Sequence, residues 1–321
     1  MLRLTRISSF SILIFSFVFV LIAAEVSSAQ LRLPRPSPKA SVMQTIGVTD
    51  VTITYSRPAV KGRTVWGEWP TEVKGEATLD NQNTRPAGAP IVPYGHIWRA
   101  GANEATQFVV TDDVLINGQP LAAGSYSLHT VPGKEEWTIV FNGTANQWGS
   151  FNYDSAKDLL RVKAKPQTLT ANEEWLSYDI EPTADNAARV NIRWEKLTVP
   201  FTVEVKDQNA LVLRKAAAAV AAAKPDDWQT PLQAAGFAKQ NKAMDDANKW
   251  FDQSIRAIDE QLKTKPNFQN TSRKASILLS AGKMQEALAI AEKAVEIGKA
   301  EKADTSALEK RIADIKAGKM E

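Results

Sequence analysis

The chain contains no cysteine and only two histidines, His96 and His129, among its 321 residues. The first absence excludes disulfide frameworks, iron–sulfur clusters, thiolate zinc sites and cysteine nucleophiles. The second argues against a multi-histidine metal centre, so neither a metal nor a cofactor is expected. An excess of one charge is missing too. The 39 basic and 36 acidic residues leave a formal net charge of +3, too little for a long-range pull towards nucleic acid. No phosphate loop of the Gly-x4-Gly-Lys-Ser/Thr type occurs, and no Gly-x-Ser-x-Gly elbow. Asp112-Asp113 and Glu135-Glu136 are adjacent pairs, which a strand turns to opposite faces. Asp80-Asn-Gln-Asn83 lacks the spacing and terminal Glu of a calcium loop. What is present is a globular composition, 44% apolar and 23% charged, at a length suited to about two domains.

The first 29 residues read as an address. Arg3 and Arg6 precede the apolar run Ile7–Ala24, and Ser27-Ser28-Ala29 places small residues where a signal peptidase cuts. A retained membrane anchor is the competing reading, because the run approaches the ~18–20 residues that span a bilayer. The serines within the run and the Ser27/Ala29 pair favour cleavage. The expected product starts near Gln30, lies in the periplasm or outside the cell, and keeps no membrane contact. Residues 30–37 form a linker, part of the proline-bearing lead-in Leu31–Pro38.

Two bodies with different periodicities follow. Over residues 38–205 apolar residues alternate, as in Val51–Tyr55, Ser125–Val131, Trp137–Phe141, Val190–Trp194 and Phe201–Val205. Such alternation buries one face of each strand and wets the other. Asn117-Gly118 after Val114–Ile116 is a two-residue hairpin signal. About eight or nine short strands without helical crossovers predict an antiparallel β-sandwich or a flattened barrel. Pro70–Pro93 breaks the rhythm and reads as a long surface loop. Residues 206–321 switch to helical patterning and repeat at a spacing of 40: Ala235 and Ala275, Met244 and Met284, Ala247 and Ala287 correspond. The fold class is therefore α+β, with a β domain followed by an all-α tail. The β part holds 15 basic and 19 acidic residues, the tail 20 and 16; the opposition fits docking of the two and fits scattered solvated charges at least as well.

Chemistry-bearing residues cluster at Arg57, Arg63 and Trp66, at Trp98, Arg99, Asn103 and Glu104, and around Trp148. Guanidinium forks grip carboxylates or phosphates, and indole faces stack on sugars or cations. These eight residues are the candidate ligand site, for a small molecule or a carbohydrate. The plainer readings are an Arg99–Glu104 ion pair that orients a loop, tryptophans that fill a core, and His96 as an exposed loop residue. Convergence of Arg57, Arg63, Arg99 and Glu104 on one open cleft would mark a site; burial and mutual pairing would mark scaffold.

The segments Arg57-Pro58, Lys61-Gly62-Arg63, Trp66-Gly67, Tyr94-Gly95, Trp98–Thr106, Asn117-Gly118, Gly124–Leu128 and Asn146–Gly149 occur in an order that resembles the bacterial domain of unknown function 2911 family over about residues 38–205. That family implies export but no established reaction. The chain departs from the pattern at Pro70–Val92, where the family passes almost directly from Trp-Gly to Tyr-Gly. In the tail, Ala275, Leu278, Gly282, Ala287, Ala291 and Ala294 resemble a tetratricopeptide repeat, although the spacing of 40 exceeds the usual 34.

These features favour a non-enzymatic, exported protein of the cell envelope that binds a small ligand at the Arg/Trp motifs and a protein partner at the tail. The rival is a hydrolase or lyase with Glu104 as general base and Arg99 and Asn103 as polarising groups. Amino-terminal sequencing of the protein from its native envelope should return a start near Gln30. Recovery of intact Met1–Ala29 in a membrane fraction would contradict the address.

Overall fold

The computed structural model describes residues 33–69 and 88–319, so the expected signal segment and most of the Pro70–Val92 insertion lie outside the described residues. Period-two patterning builds twelve strands: β1 (Lys39–Ile46), β2 (Thr49–Ser56), β3 (Trp66–Gly67), β4 (Val92–Pro93), β5 (Thr106–Val110), β6 (Val114–Ile116), β7 (Gln119–Leu121), β8 (Gly124–Val131), β9 (Trp137–Asn142), β10 (Asp158–Ala164), β11 (Gln167–Ala184) and β12 (Ala187–Glu204). Six form an antiparallel sheet in the order β1-β2-β5-β8-β9-β10, and four form a second in the order β11-β12-β6-β7. Among the described residues no strand joins the two sheets, so the flattened-barrel alternative falls and the sandwich stands. Residues of both sheets make one core, in which Phe108, Phe141 and Phe201 pack ring against ring.

The expected hairpin sits at Asn117-Gly118. Both residues take positive φ, +46° and +79°, as a primed two-residue turn between twisted strands demands. Asn117 is also held from both sides, its Nδ2 donating to Lys163 O and its Oδ1 accepting from Thr202 N.

Two strands are longer than the sequence suggests. Val190–Trp194 and Phe201–Val205 look separate because their buried residues have opposite parity. In the structure β12 carries both stretches in a strand of 18 residues. At Glu195 the backbone enters the left-handed region, φ +56°, beside an irregularity in the β11–β12 register. This bulge shifts parity by one, so Trp194 and Phe201 can face the same core. A second departure concerns β8, whose residues Tyr126 through Thr130 are all buried. The loop after β9 covers the sheet's outer face there, placing Gln147 on Ser127 and Tyr153 against His129.

The insertion is closed at its base. β3 and β4 pair in parallel, Trp66 with Val92, and Tyr94 N donates to Gly67 O at 2.8 Å. The Trp-Gly and Tyr-Gly segments are thus neighbours despite the residues between them.

Six helices follow: α1 (Gln208–Ala222), α2 (Gln229–Gln240), α3 (Met244–Thr264), α4 (Phe268–Ser280), α5 (Met284–Ala300) and α6 (Ser306–Lys316). Asp207 caps α1 by accepting from Ala210 N. The turns ending α2 and α4 close alike, with Lys242 and Gly282 at positive φ and with Ala243 N on Ala238 O and Lys283 N on Leu278 O. The 40-residue recurrence is therefore also a recurrence of turn geometry.

The tail leans on the sandwich less broadly than expected. Its own core, including Val220, Ala235, Ala238, Trp250 and Phe251, is wholly helical. Helix α1 links the two bodies: Leu211 is buried in the sandwich core and Val220 in the helical one. Beside Leu211, Lys215 Nζ donates to Asp112 at 2.7 Å and to the carbonyl of Val48. Asp112 also accepts from Thr49 and Thr111. Burial raises the Asp112 pKa, but these hydrogen bonds and the Lys215 charge outweigh it, and the net shift is downward.

A depressed pKa stabilises the fold above the ordinary aspartate value of 3.8 and ceases to do so as pH falls through the folded-state value. Replacing Asp112 by Asn should cost about 0.5–1 kcal/mol at neutral pH, a figure reduced for the solvent that screens Lys215. Denaturant titrations of both proteins should converge as pH falls below the ordinary aspartate value; an equal gap throughout would contradict this role.

Candidate functional site

The loop between β4 and β5 carries four of the eight candidate residues, and its path is set by the main chain. Trp98 exchanges two backbone hydrogen bonds with Thr130, both 2.8 Å. Ala100 then takes φ +51° and Asn103 φ +59°. The carbonyl of Ala100 accepts from Tyr178 Oη and from Thr106 Oγ1, each at 2.8 Å. Tyr178 lies on β11, so this carbonyl joins the loop to the opposite sheet. Burial pushes the Tyr178 hydroxyl far above the usual tyrosine pKa, keeping it a donor. Gly101 has no room for a side chain: a Cβ there would lie 2.8 Å from Thr106 Oγ1 and 3.2 Å from Ser56 O.

The three arginines do not converge on a cleft. Arg57 Nε donates to Leu176 O at 2.8 Å. Arg63 donates to Val60 O and to Ala59 O, the latter at 2.6 Å. Arg99 Nη1 donates to Asn103 O at 2.7 Å, closing the strained turn of the loop. Each guanidinium grips backbone carbonyls, an outcome between the two that the sequence posed. The Arg99–Glu104 ion pair does not form; the partner of Glu104 is Arg35.

The tryptophans divide. Trp66 and Trp98 turn inward and meet Trp137 and Trp194 with ring centroids 5.0–6.3 Å apart. Trp98 Nε1 donates to Gly101 O. Trp98, Trp137 and Trp194 are buried and the half-buried Trp66 packs against them, so the two candidate members serve packing. His96 is likewise buried, against the expectation of an exposed loop residue, because the loop folds down over the sheet. Trp148 stays 53% exposed.

Glu104 and Trp148 meet across an isolated antiparallel bridge. Ala105 N donates to Gln147 O, and Gly149 N to Asn103 O, both at 3.0 Å. Together they line a cleft of about 310 Å³ with Lys39, Thr54, Gln107 and Asn146. Its floor is stiffened, since Gln107 donates to Asn146 and Gln147 to Ser127. Arg35 engages two of the lining residues. Its Nη1 donates to both Glu104 oxygens, at 2.7 and 2.9 Å, and its guanidinium lies over the Trp148 ring. Asn103 Nδ2 donates to Ser37 O, tying down the same lead-in.

Of the eight candidates, then, Glu104 and Trp148 share an open cleft, Asn103 and Arg99 position it, and Arg57, Arg63, Trp66 and Trp98 lie elsewhere. Sequence reasoning passed over Arg35, Lys39 and Gln107. The stiff Pro34, Pro36 and Pro38 around Arg35 were the available signal. Burial raises the Glu104 pKa, but the Arg35 hydrogen bond and charge outweigh it and hold the group ionised below its usual value. A carboxylate so stabilised is a poor proton acceptor and a good electrostatic partner. Among the described residues, no group of three or more His, Asp or Glu side chains is placed to hold a metal ion.

Replacing Arg99 by Lys should destabilise the protein by about 1–2 kcal/mol, because one ammonium cannot reproduce the fork that holds the loop. Thermal melts would register it; an unchanged melting temperature would show that the loop does not need Arg99.

Comparison with curated proteins and with solved structures gives no match. Among the described residues, no helix is long and apolar enough to cross a membrane. The model of one family, described as Protein of unknown function (DUF2911), matches residues 37–203 and so spans the sandwich from the lead-in to the end of β12. With more than half of its length matched, the chain belongs to this family.

Proposed function

We propose that the protein is an exported, non-enzymatic binding protein of the bacterial cell envelope that captures a small polar ligand in the Glu104–Trp148 cleft. The observation that carries this reading is the exposed indole of Trp148 beside an ionised Glu104, above amide side chains already held in place. An aromatic face with converging polar groups suits a sugar ring or a flat cation. Export rests on the residue pattern of the first 29 positions. The helical body, with its tetratricopeptide-like recurrence, is the part we assign to a protein partner. In its support, Trp228, Leu232, Phe268, Ile277 and Leu308 line an open groove of about 520 Å³ between helices.

The test is a titration of the mature protein with neutral saccharides, amines and guanidino compounds, followed through the indole N–H resonance of Trp148. At least one class should give a saturable shift that Gln107→Ala abolishes, and calorimetry should show the same binding lost in Trp148→Ala. Because Trp148 is exposed, Trp148→Ala should alter stability by no more than about 0.5 kcal/mol. A panel without any saturable shift would overturn the reading.

A further inference from the structure

Glu104 and Trp148, which line the cleft, already engage a cation that the chain itself supplies. Arg35 presents one nitrogen to both oxygens of Glu104, and its guanidinium carbon stands 5.8 Å from the centroid of the Trp148 ring. A carboxylate at the edge and an indole beneath the face satisfy the two distinct properties of a guanidinium, its planar donors and its weakly hydrated plane. Glu104 and Trp148 are locked together by the isolated bridge between their backbones, whereas Arg35 comes on the lead-in, which is anchored nearby at Ser37, and remains 47% exposed at its side chain. Arg35 also precedes the segment that the family model spans, while Glu104 and Trp148 fall within it.

We propose that the Glu104–Trp148 cleft is a guanidinium-binding site and that Arg35 is its resident competitor, displaced when a small guanidino compound enters. The inference rests on the binding reading above and names the ligand class for the same cleft. Lys39 lines the cleft as well, so a compound that carries a carboxylate beside its guanidinium gains a second partner. A tethered competitor acts at an effective concentration near millimolar and lowers the apparent affinity of a soluble ligand by the fraction of sites left open.

The experiment uses the mature full-length protein, as wild type and Arg35→Ala, titrated with agmatine, L-arginine and the neutral isostere L-citrulline. The Trp148 indole resonance, assigned through Trp148→Phe, is the readout. Agmatine should bind Arg35→Ala at least tenfold more tightly than wild type, L-arginine at least as tightly as agmatine, and L-citrulline should produce no saturable shift. Glu104→Gln in the Arg35→Ala background should remove the agmatine response, while its unchanged melting curve reports an intact fold. Equal agmatine affinities in wild type and Arg35→Ala would overturn the competitor role, and equal responses to citrulline and arginine would overturn the guanidinium assignment. If a neutral saccharide saturates the cleft and agmatine does not, the binding reading survives and this inference fails. If no compound binds, both fail.

Discussion

The buried carbonyl of Ala100 is the point on which the candidate site depends. It sits at a positive φ and takes hydrogen bonds from Tyr178, on one sheet, and from Thr106, on the other. Unpaired, a carbonyl at that depth would cost about 1–3 kcal/mol. Paired twice, it pins the Trp98–Thr106 loop to both layers of the sandwich. Arg99 and the missing side chain of Gly101 complete the pin, one by bridging to Asn103 and the other by letting the backbone approach Ser56 and Thr106. Glu104 emerges from this fixed base, which is why its carboxylate has a defined direction although it lies at the surface.

The tryptophan quartet serves the same end from below. Trp66, Trp98, Trp137 and Trp194 come from separate segments and pack edge to face or stacked. Edge-to-face packing of large rings contributes more than burial alone, and it orients the elements that carry the rings. Through Trp66 and the β3–β4 pair, the quartet also holds both ends of the Pro70–Val92 insertion.

The sandwich and the helical body keep separate cores, and helix α1 belongs to both. Its first half buries Leu211 with the strands and pairs Lys215 with Asp112; its second half buries Val220 with α2 and α3. One helix shares both cores, while the Glu104–Trp148 cleft belongs to the sandwich and the groove to the helices. Among the described residues, opposite charge on the two parts meets at the partly buried pair Lys215–Asp112.

The sequence by itself determined the composition-level exclusions, the α+β order, the hairpin at Asn117-Gly118 and the 40-residue recurrence, because these depend on neighbours in the chain. It also singled out Glu104 and Trp148, since a charged or aromatic residue in a glycine-rich loop is visible without a fold. Only the tertiary structure decided that Trp66 and Trp98 are core, that Arg57 and Arg63 hold carbonyls, and that the carboxylate of Glu104 belongs to Arg35. Those outcomes turn on which residues distant in sequence arrive at one place. The Glu195 bulge shows the same limit within a strand: one residue in the left-handed region reverses facing, and alternation then reads as two strands where the chain makes one. Periodicity records which side a residue prefers, but partners 69 residues apart, as Arg35 and Glu104 are, meet only after the sheets have packed.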